Sequence, residues 1–131
     1  MIRSFEDLEC WKTARDIRIF IRDLIKKLPP KEFDMIDNMK RAAHSCTRNI
    51  AEGYGRFHFQ ENMQFCRISR GSMYELKDDL VICLDEKFLT DEAFKKGSEL
   101  IVKGITILNG YINYLEKKKQ EKKNDDSQLH N

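Results

Sequence analysis

The chain has 131 residues, of which 40% are hydrophobic and 35% charged, and 24 basic against 22 acidic residues give a net charge of +2. This length allows one domain that buries about two-thirds of its unfolded surface, and the composition is too apolar for a disordered chain. No apolar run approaches the roughly 18 residues of a membrane span, and the first residues lack the apolar stretch of a secretory signal. We therefore expect a cytoplasmic protein with no membrane partner.

Four segments with helical periodicity follow one another along the chain. They cover about residues 5–28, 31–53, 59–87 and 91–118. Pro29 and Pro30 separate the first two segments, because proline cannot continue a helix. Gly53 is placed as the C-cap of the second segment, and Thr90 is placed as the N-cap of the fourth.

Each segment carries an apolar face at a spacing of 100° per residue, and none alternates with period two over a useful length. Ile17, Met39, Leu76 and Ile101 are examples of residues on these faces. The pattern predicts an all-α fold, an antiparallel up-down four-helix bundle over residues 1–118. Residues 119–131 are almost wholly charged or polar, and we expect them to form a disordered tail.

The four cysteines are scattered, and no pair is two or three residues apart. They are Cys10, Cys46, Cys66 and Cys83. Three of them fall on apolar helical faces, where cysteine behaves as a small hydrophobic residue. No histidine lies at ligand spacing from any of them. We expect reduced thiols and no metal site.

Gly97 and Gly104 lie seven residues apart, near the centre of the apolar arc of the fourth segment. Each costs about 1 kcal/mol of helix propensity, and close approach of another helix would compensate for this cost. A second flank widens the arc beyond what one core needs, with Leu100, Ile107, Tyr111 and Tyr114. This pattern predicts a homo-oligomer. The alternative is a broad core that absorbs the flank.

Basic residues occur in three places that are candidate contacts for RNA or DNA. Lys12, Arg15, Arg18, Arg22 and Lys26 follow the first segment, Arg41, His44 and Arg48 lie on one side of the second, and Arg56 lies in the loop 54–59. That loop mixes basic and aromatic residues, which can stack unpaired nucleotides while holding their phosphates. The alternative is a set of solvated charged faces, since Asp16 and Asp23 border the stripe of the first segment.

A set of polar residues borders the apolar faces of the second and third segments. The candidate network comprises Ser45, Asn49, Glu52, Arg70, Ser72 and Glu75. Glu52 lies in a last helical turn, where the helix dipole disfavours a carboxylate, so we expect Arg70 or Arg48 as its partner. The network either sets the register between helices or lines a ligand or catalytic pocket. Without a histidine, a metal cluster or a nucleophile–base pair nearby, we predict no catalytic residue and no cofactor.

Three stretches resemble one bacterial protein family in their order and spacing. They are residues 4–14 (SFEDLECWKTA), 41–53 (RAAHSC followed by NIAEG) and 70–76 (RGS followed by EL). Over roughly residues 4–115 the chain is similar to the four-helix-bundle proteins encoded in intervening sequences of bacterial 23S ribosomal RNA genes. The resemblance implies an antiparallel bundle that assembles as a ring-like homopentamer, with no established catalytic residue. It also implies distant kinship with accessory proteins of diversity-generating retroelements, basic bundles that bind nucleic acid, although this chain is nearly neutral.

These observations favour a non-enzymatic oligomeric bundle that acts as a nucleic-acid-associated accessory or scaffold protein. The alternative is a protein–protein interaction module with no nucleic-acid role. A third hypothesis is a small-molecule pocket lined by Asn49, Glu52, Ser72 and Glu75. One continuous positive face would favour the first hypothesis, and mixed charge around an exposed apolar groove would favour the second.

Overall fold

Four α-helices follow one short 3-10 helix in the computed structural model, which describes residues 1–129. The 3-10 helix is Phe5–Asp7, and the α-helices are α1 (Glu9–Ile25), α2 (Phe33–Tyr54), α3 (Phe59–Asp85) and α4 (Asp91–Leu129). Each α-helix packs against two neighbours in a closed order, α1 on α2, α2 on α3, α3 on α4 and α4 on α1. Within residues 1–129 there is no strand, so the predicted all-α four-helix fold is confirmed.

Two surface pockets show which helix ends lie together. The first is lined by Leu8 before α1, Tyr54 at the end of α2, Asn62 near the start of α3 and Tyr111 in the later part of α4. The second is lined by Leu24 near the end of α1 and by Phe88, between α3 and α4. This alternation of starts and ends fits an antiparallel up-down bundle. We call the end with the first pocket the aromatic end. None of the helices in the described range has an apolar stretch of membrane-crossing length.

The motif SFEDL forms a capped turn rather than the first turn of α1. The Glu6 N–H donates a hydrogen bond to Ser4 Oγ (3.2 Å), and the N–H groups of Arg3 and Ser4 donate to Asp7 Oδ2 (2.9 and 3.2 Å). These two backbone hydrogen bonds lower the pKa of the Asp7 carboxyl. The next residue is extended, with φ −72° and ψ 130°, so α1 begins at Glu9 and not near residue 5 as the periodicity predicts.

The glycines of α4 allow close packing inside the chain. A methyl group added to Gly97 would come within 2.6 Å of Phe20 Cε1, and one added to Gly104 would come within 2.6 Å of Ile17 Cδ1. Both neighbours belong to α1 of the same bundle. The α1–α4 packing therefore accounts for these glycines, and their spacing gives no indication of a second subunit.

Residues 119–129, part of the stretch that we expected to form a disordered tail, continue α4 as a helix to Leu129. Residues 130 and 131 lie outside the described residues. Lys, Glu and Gln are good helix formers, and an ion pair between Lys118 and Glu121 (3.3 Å) adds local support. Lys119 Nζ also donates to Gln60 Oε1 (2.6 Å), which attaches this part of α4 to the start of α3.

Candidate nucleic-acid interface

The cations of α1 lie beside α2, and one of them joins the two helices. Arg18 Nη1 donates a hydrogen bond to Thr47 Oγ1 (2.8 Å), and Thr47 is buried. Arg15 and Arg22 lie three residues before and four residues after Arg18, so they share its side of α1 and are exposed. Lys40 lies seven residues before Thr47 and therefore faces the same groove. Lys40 was not among the candidates expected from the sequence, although this seven-residue spacing is visible there.

We define the α1–α2 cation face as Arg15, Arg18, Arg22, Lys40 and Arg48. Arg48 follows Thr47 directly, is exposed on α2 and lines the depression that also contains Glu52 and Arg56, so it forms the outer edge of this face. Among the described residues, no carboxylate lies within 4.0 Å of Arg15, Lys40 or Arg48. These three residues therefore carry positive charge that no ion pair within the described chain neutralises.

The outer part of the α1 stripe is partly compensated by acidic neighbours. Lys12 pairs with Glu9 (3.4 Å), whereas Arg22 and Lys26 both pair with Asp23 (3.1 and 3.9 Å). All of these side chains are exposed, and exposed ion pairs contribute little free energy. A phosphate can displace such a pair at small cost, so the compensation weakens the positive field without removing it.

Two of the candidate cations are directed elsewhere. Arg41 shares the outer stripe of α2 with Arg48, but its Nη2 atom donates to Asn38 Oδ1 (2.6 Å), so that it lines the α2–α3 groove. Arg56 pairs with Glu52 (2.8 Å) and Glu61 (3.9 Å). Its guanidinium also lies 5.1 Å from the centre of the Phe65 ring. The structure therefore does not place Arg41 and Arg56 with the cations of α1.

Part of the expected polar network lies between α2 and α3. The hydroxyl oxygens of Ser45 and Ser72 are 2.7 Å apart, and Asn49 Nδ2 donates to Ser45 Oγ (2.8 Å). One turn away, the buried Ser69 hydroxyl donates to the Cys46 carbonyl oxygen (2.7 Å). Such buried polar contacts set the register of one helix against the other.

Of the other three members of the expected network, Glu52 and Arg70 lie apart, whereas Glu75 lines the same groove as Ser45 and Ser72. We expected Arg70 or Arg48 to pair with Glu52. This prediction is wrong, because Glu52 pairs with Arg56 one turn later. Arg70 instead donates to Asn109 Oδ1 (2.7 Å) and joins α3 to α4. Glu75 is exposed at the α2–α3 groove, together with Ser72. Glu52 lines a separate depression, so the four residues of the small-molecule hypothesis do not share one pocket.

A buried asparagine, which was not among the residues expected to be functional, joins α3 to α4. Asn62 Nδ2 donates to the Tyr111 hydroxyl (3.1 Å), and the Cys66 thiol donates to Asn62 Oδ1 (3.5 Å). Asn62 lies four residues before Cys66 and seven before Ser69, and both of these residues are buried. This spacing was the signal that could have indicated its burial.

The groove between α2 and α3 is acidic. Its cavity volume is about 580 Å³, and its α3 wall includes Glu75, Asp78 and Asp79. Burial, followed by the negative charges of Asp78 and Glu75, raises the pKa of the Asp79 carboxyl to about 6. The lining of this groove includes Arg41 but, among the described residues, none of the α1–α2 cation face.

The family model of the 23S rRNA-intervening sequence protein matches residues 6–110 of the chain. The chain belongs to the 23S rRNA-intervening sequence protein family. The matched part of this family member includes the α1–α2 cation face and the α2–α3 contacts, and it ends before the lysines at 119, 122 and 123. No curated protein matches the chain.

Proposed function

We propose that this 23S rRNA-intervening sequence protein is a cytoplasmic, non-enzymatic homo-oligomer that associates with RNA or DNA as an accessory or scaffold protein. The observation that supports the proposal best is the α1–α2 cation face. Because phosphate contacts supply most of the free energy of non-specific nucleic-acid binding, such a face needs no base-reading residues.

The distribution of charge over the surface supports nucleic-acid binding by this face better than the net charge of +2 does. The acids Glu75, Asp78 and Asp79 lie in the α2–α3 groove, whose described lining includes neither Arg15 nor Arg48. Arginine suits phosphate, since its planar guanidinium can donate two parallel hydrogen bonds. Repetition of the face in an oligomer would multiply modest contacts, because each later contact becomes intramolecular.

The outer surface of α3 supports the oligomeric part of the proposal. A methyl group added to Gly71, in the middle of α3, would have no other atom within 4 Å. A glycine in a helix interior costs about 1 kcal/mol relative to alanine, and no contact within the chain compensates for it here. Exposed apolar side chains lie on the same helix, with Ile68 and Tyr74 three residues to either side of Gly71 and Val81 ten residues after it. We define Ile68, Gly71, Tyr74 and Val81 as the α3 outer face and propose that copies of the chain meet there.

The same surface favours the second candidate function, a protein–protein interaction module without a nucleic-acid role. An exposed apolar patch on a helix can contact a different protein as well as a second copy. In that case the α1–α2 cation face would be a solvated surface, and nucleic acid would not bind.

A titration of the purified oligomer with single-stranded RNA, duplex RNA and duplex DNA at two salt concentrations tests the proposal. The variant Arg15→Glu/Arg48→Glu reverses two unpaired charges and leaves the Arg18–Thr47 hydrogen bond in place. Its matched control is Lys95→Glu/Lys96→Glu, which makes the same charge change on exposed residues of α4. We expect salt-sensitive binding that is weakened in the first variant and kept in the control. Absence of binding at low salt would reject the nucleic-acid role and leave the protein partner.

A further inference from the structure

The pocket at the aromatic end combines aromatic side chains that pack against the core with others that are exposed. Its cavity volume is about 380 Å³, and the aromatic side chains that line it are Tyr54, Phe57, Phe59, Tyr111 and Tyr114. A volume of this order is large enough for a small planar group. The pocket is separate from the α1–α2 cation face, and its lining comes from all four helix ends described above.

Two of these aromatic side chains expose most of their surface. Phe57 is 87% exposed and has φ 59°, a left-handed conformation that is unfavourable for a bulky residue. Tyr114 is 52% exposed, and its ring is stacked on that of Tyr111 with the centres 6.2 Å apart. Strained residues of this kind persist only where the surrounding structure holds them in place, and they cluster at binding and active sites.

The inner tyrosine is held in one orientation. Asn62 Nδ2 donates a hydrogen bond to the Tyr111 hydroxyl (3.1 Å), and burial raises the pKa of Tyr111 to about 12. The phenol is neutral at physiological pH, as it would be at its ordinary pKa of 10.0, and adds no negative charge to the pocket. A neutral aromatic wall of fixed orientation is a suitable surface on which another ring can stack.

A basic groove adjoins this pocket. It shares His58 and Phe59 with the pocket, and its opposite wall carries three lysines and one acid, namely Lys119, Lys122, Lys123 and Asp126. The hydrogen bond from Lys119 to Gln60 (2.6 Å) keeps this wall beside the start of α3. The groove thus offers positive charge directly next to the aromatic pocket.

We infer that the aromatic end binds an unpaired nucleotide of a single-stranded RNA or DNA, with the base in the aromatic pocket and phosphates along the basic groove. This inference rests on the proposed function and assigns it a site for single strands. Aromatic side chains stack on any base, and neighbouring cations follow the phosphate backbone. A duplex does not fit the site, because its bases are already stacked and paired. An apolar protein segment would use the pocket but leave the three lysines without a partner.

Fluorescence anisotropy with a short labelled oligouridylate and a duplex of the same length tests this inference. Tyr114→Ala removes an exposed stacking surface, and Lys122→Gln/Lys123→Gln removes the adjacent charge. The matched controls are Phe33→Ala, which removes an exposed aromatic ring at the other end of the bundle, and Lys95→Gln/Lys96→Gln. We expect each aromatic-end variant to weaken single-strand binding about tenfold, whereas the controls leave it unchanged. Duplex binding by the α1–α2 cation face should persist in both variants.

The outcomes separate this inference from the proposed function. Unchanged single-strand binding in the aromatic-end variants, with loss in Arg15→Glu/Arg48→Glu, would overturn the inference and leave the proposed function standing. No binding of either probe by the wild-type protein would overturn both. Ultraviolet cross-linking of the oligouridylate should label peptides that contain residues 54–59 or 111–114, and labelling confined to α1 and α2 peptides would also overturn the inference. Binding of anionic phospholipid vesicles without binding of the oligonucleotide would assign the site to a lipid surface instead.

Discussion

A methyl group on Gly53 would lie 2.7 Å from Asn62 Oδ1 and 2.9 Å from the Asn62 backbone oxygen. The end of α2 and the start of α3 therefore approach each other where no side chain fits. Asn62 in turn donates to the Tyr111 hydroxyl, so the same position joins α2, α3 and α4. The sequence motif NIAEG ends at this contact, and Gly53 serves close packing rather than the predicted C-cap, since α2 continues to Tyr54.

Replacing Gly53 by alanine should destabilise the bundle. Alanine adds up to about 1 kcal/mol of helix propensity, but overpacking against a backbone oxygen costs about 1–3 kcal/mol. We expect a net decrease in the free energy of unfolding, measured by urea denaturation. Gly110→Ala is the control, because a methyl group there meets no atom within 4 Å, and it should be neutral or stabilising. Equal stability of the two variants would show that α3 moves easily away from α2.

Gly71→Ala tests the α3 outer face. In an isolated chain the substitution should stabilise α3 by about 1 kcal/mol, because the position is open. If copies pack closely against Gly71, the added methyl group should dissociate the oligomer. We expect light scattering to show a lower molar mass for Gly71→Ala than for wild type and Gly110→Ala. The wild-type mass should be a multiple of the 15.6 kDa chain mass, and the family resemblance implies five. An unchanged mass for Gly71→Ala would place the contact elsewhere.

Asp79 should make stability depend on pH. Its folded-state pKa is raised from 3.8 to about 6, so the folded protein binds a proton more tightly than the unfolded chain. The free energy of unfolding therefore increases as pH falls from about 6 to about 4. At pH 7 the carboxylate is ionised, and its full destabilising effect on the folded protein is present. After a discount for solvent screening, we expect Asp79→Asn to add on the order of 1 kcal/mol at pH 7. It should also flatten the pH dependence between pH 4 and 6.

Urea denaturation at pH 5 and pH 7 measures this effect. Glu99→Gln, an exposed charge change on α4, serves as the control and should leave the difference between the two pH values as in wild type. A destabilised Asp79→Asn protein would mean that the carboxylate has a favourable partner in the assembled protein, and the prediction would be wrong.

The thiols should be unreactive in the folded protein. Burial raises the pKa of Cys10, Cys46 and Cys66 to about 12 and that of Cys83 to about 11. Because the thiolate is the nucleophile, alkylation by iodoacetamide at pH 8 should be at least about a hundredfold slower than in urea. Mass spectrometry should find four alkylated residues only after unfolding. Rapid modification of one cysteine in the native protein would reveal local opening of the helix that carries it.

The fold followed from the sequence because the apolar periodicity is strong. Residues taken from the four predicted faces, Ile17, Met39, Leu76 and Ile101, are at most 1% exposed. Thr90 was predicted as an N-cap, and its hydroxyl accepts a hydrogen bond from the Ala93 N–H (3.1 Å). Such signals are local, so one sequence contains them. The length of α4 could not be predicted from the sequence, because a charged segment of good helix formers is compatible with a helix and with a disordered tail.

The candidate interface was harder to predict, because it depends on the conformations of long side chains and on the partners that they contact. Arg41 and Arg48 occupy one stripe of α2, but only Arg41 is drawn to Asn38. Similarly, periodicity identifies Gly97 as a close contact without saying that the partner is Phe20 of the same chain. The aromatic and basic composition of the loop 54–59 is visible in the sequence. Lys122 follows more than sixty residues later, and only folding brings it beside His58 and Phe59 in one groove.

The 39 residues of α4 give it a length of about 58 Å, compared with about 33 Å for the 22 residues of α2. Beyond Leu115 no residue in the described part of α4 is buried, and short helices without tertiary packing are only marginally stable. Amide hydrogens there should exchange with solvent through local opening, much faster than those of the core. A polyanion on Lys119, Lys122 and Lys123 would relieve their mutual repulsion and shift the helix–coil equilibrium of this segment towards helix. Slowed amide exchange after residue 115 would therefore report occupancy of the basic groove without any label on the protein.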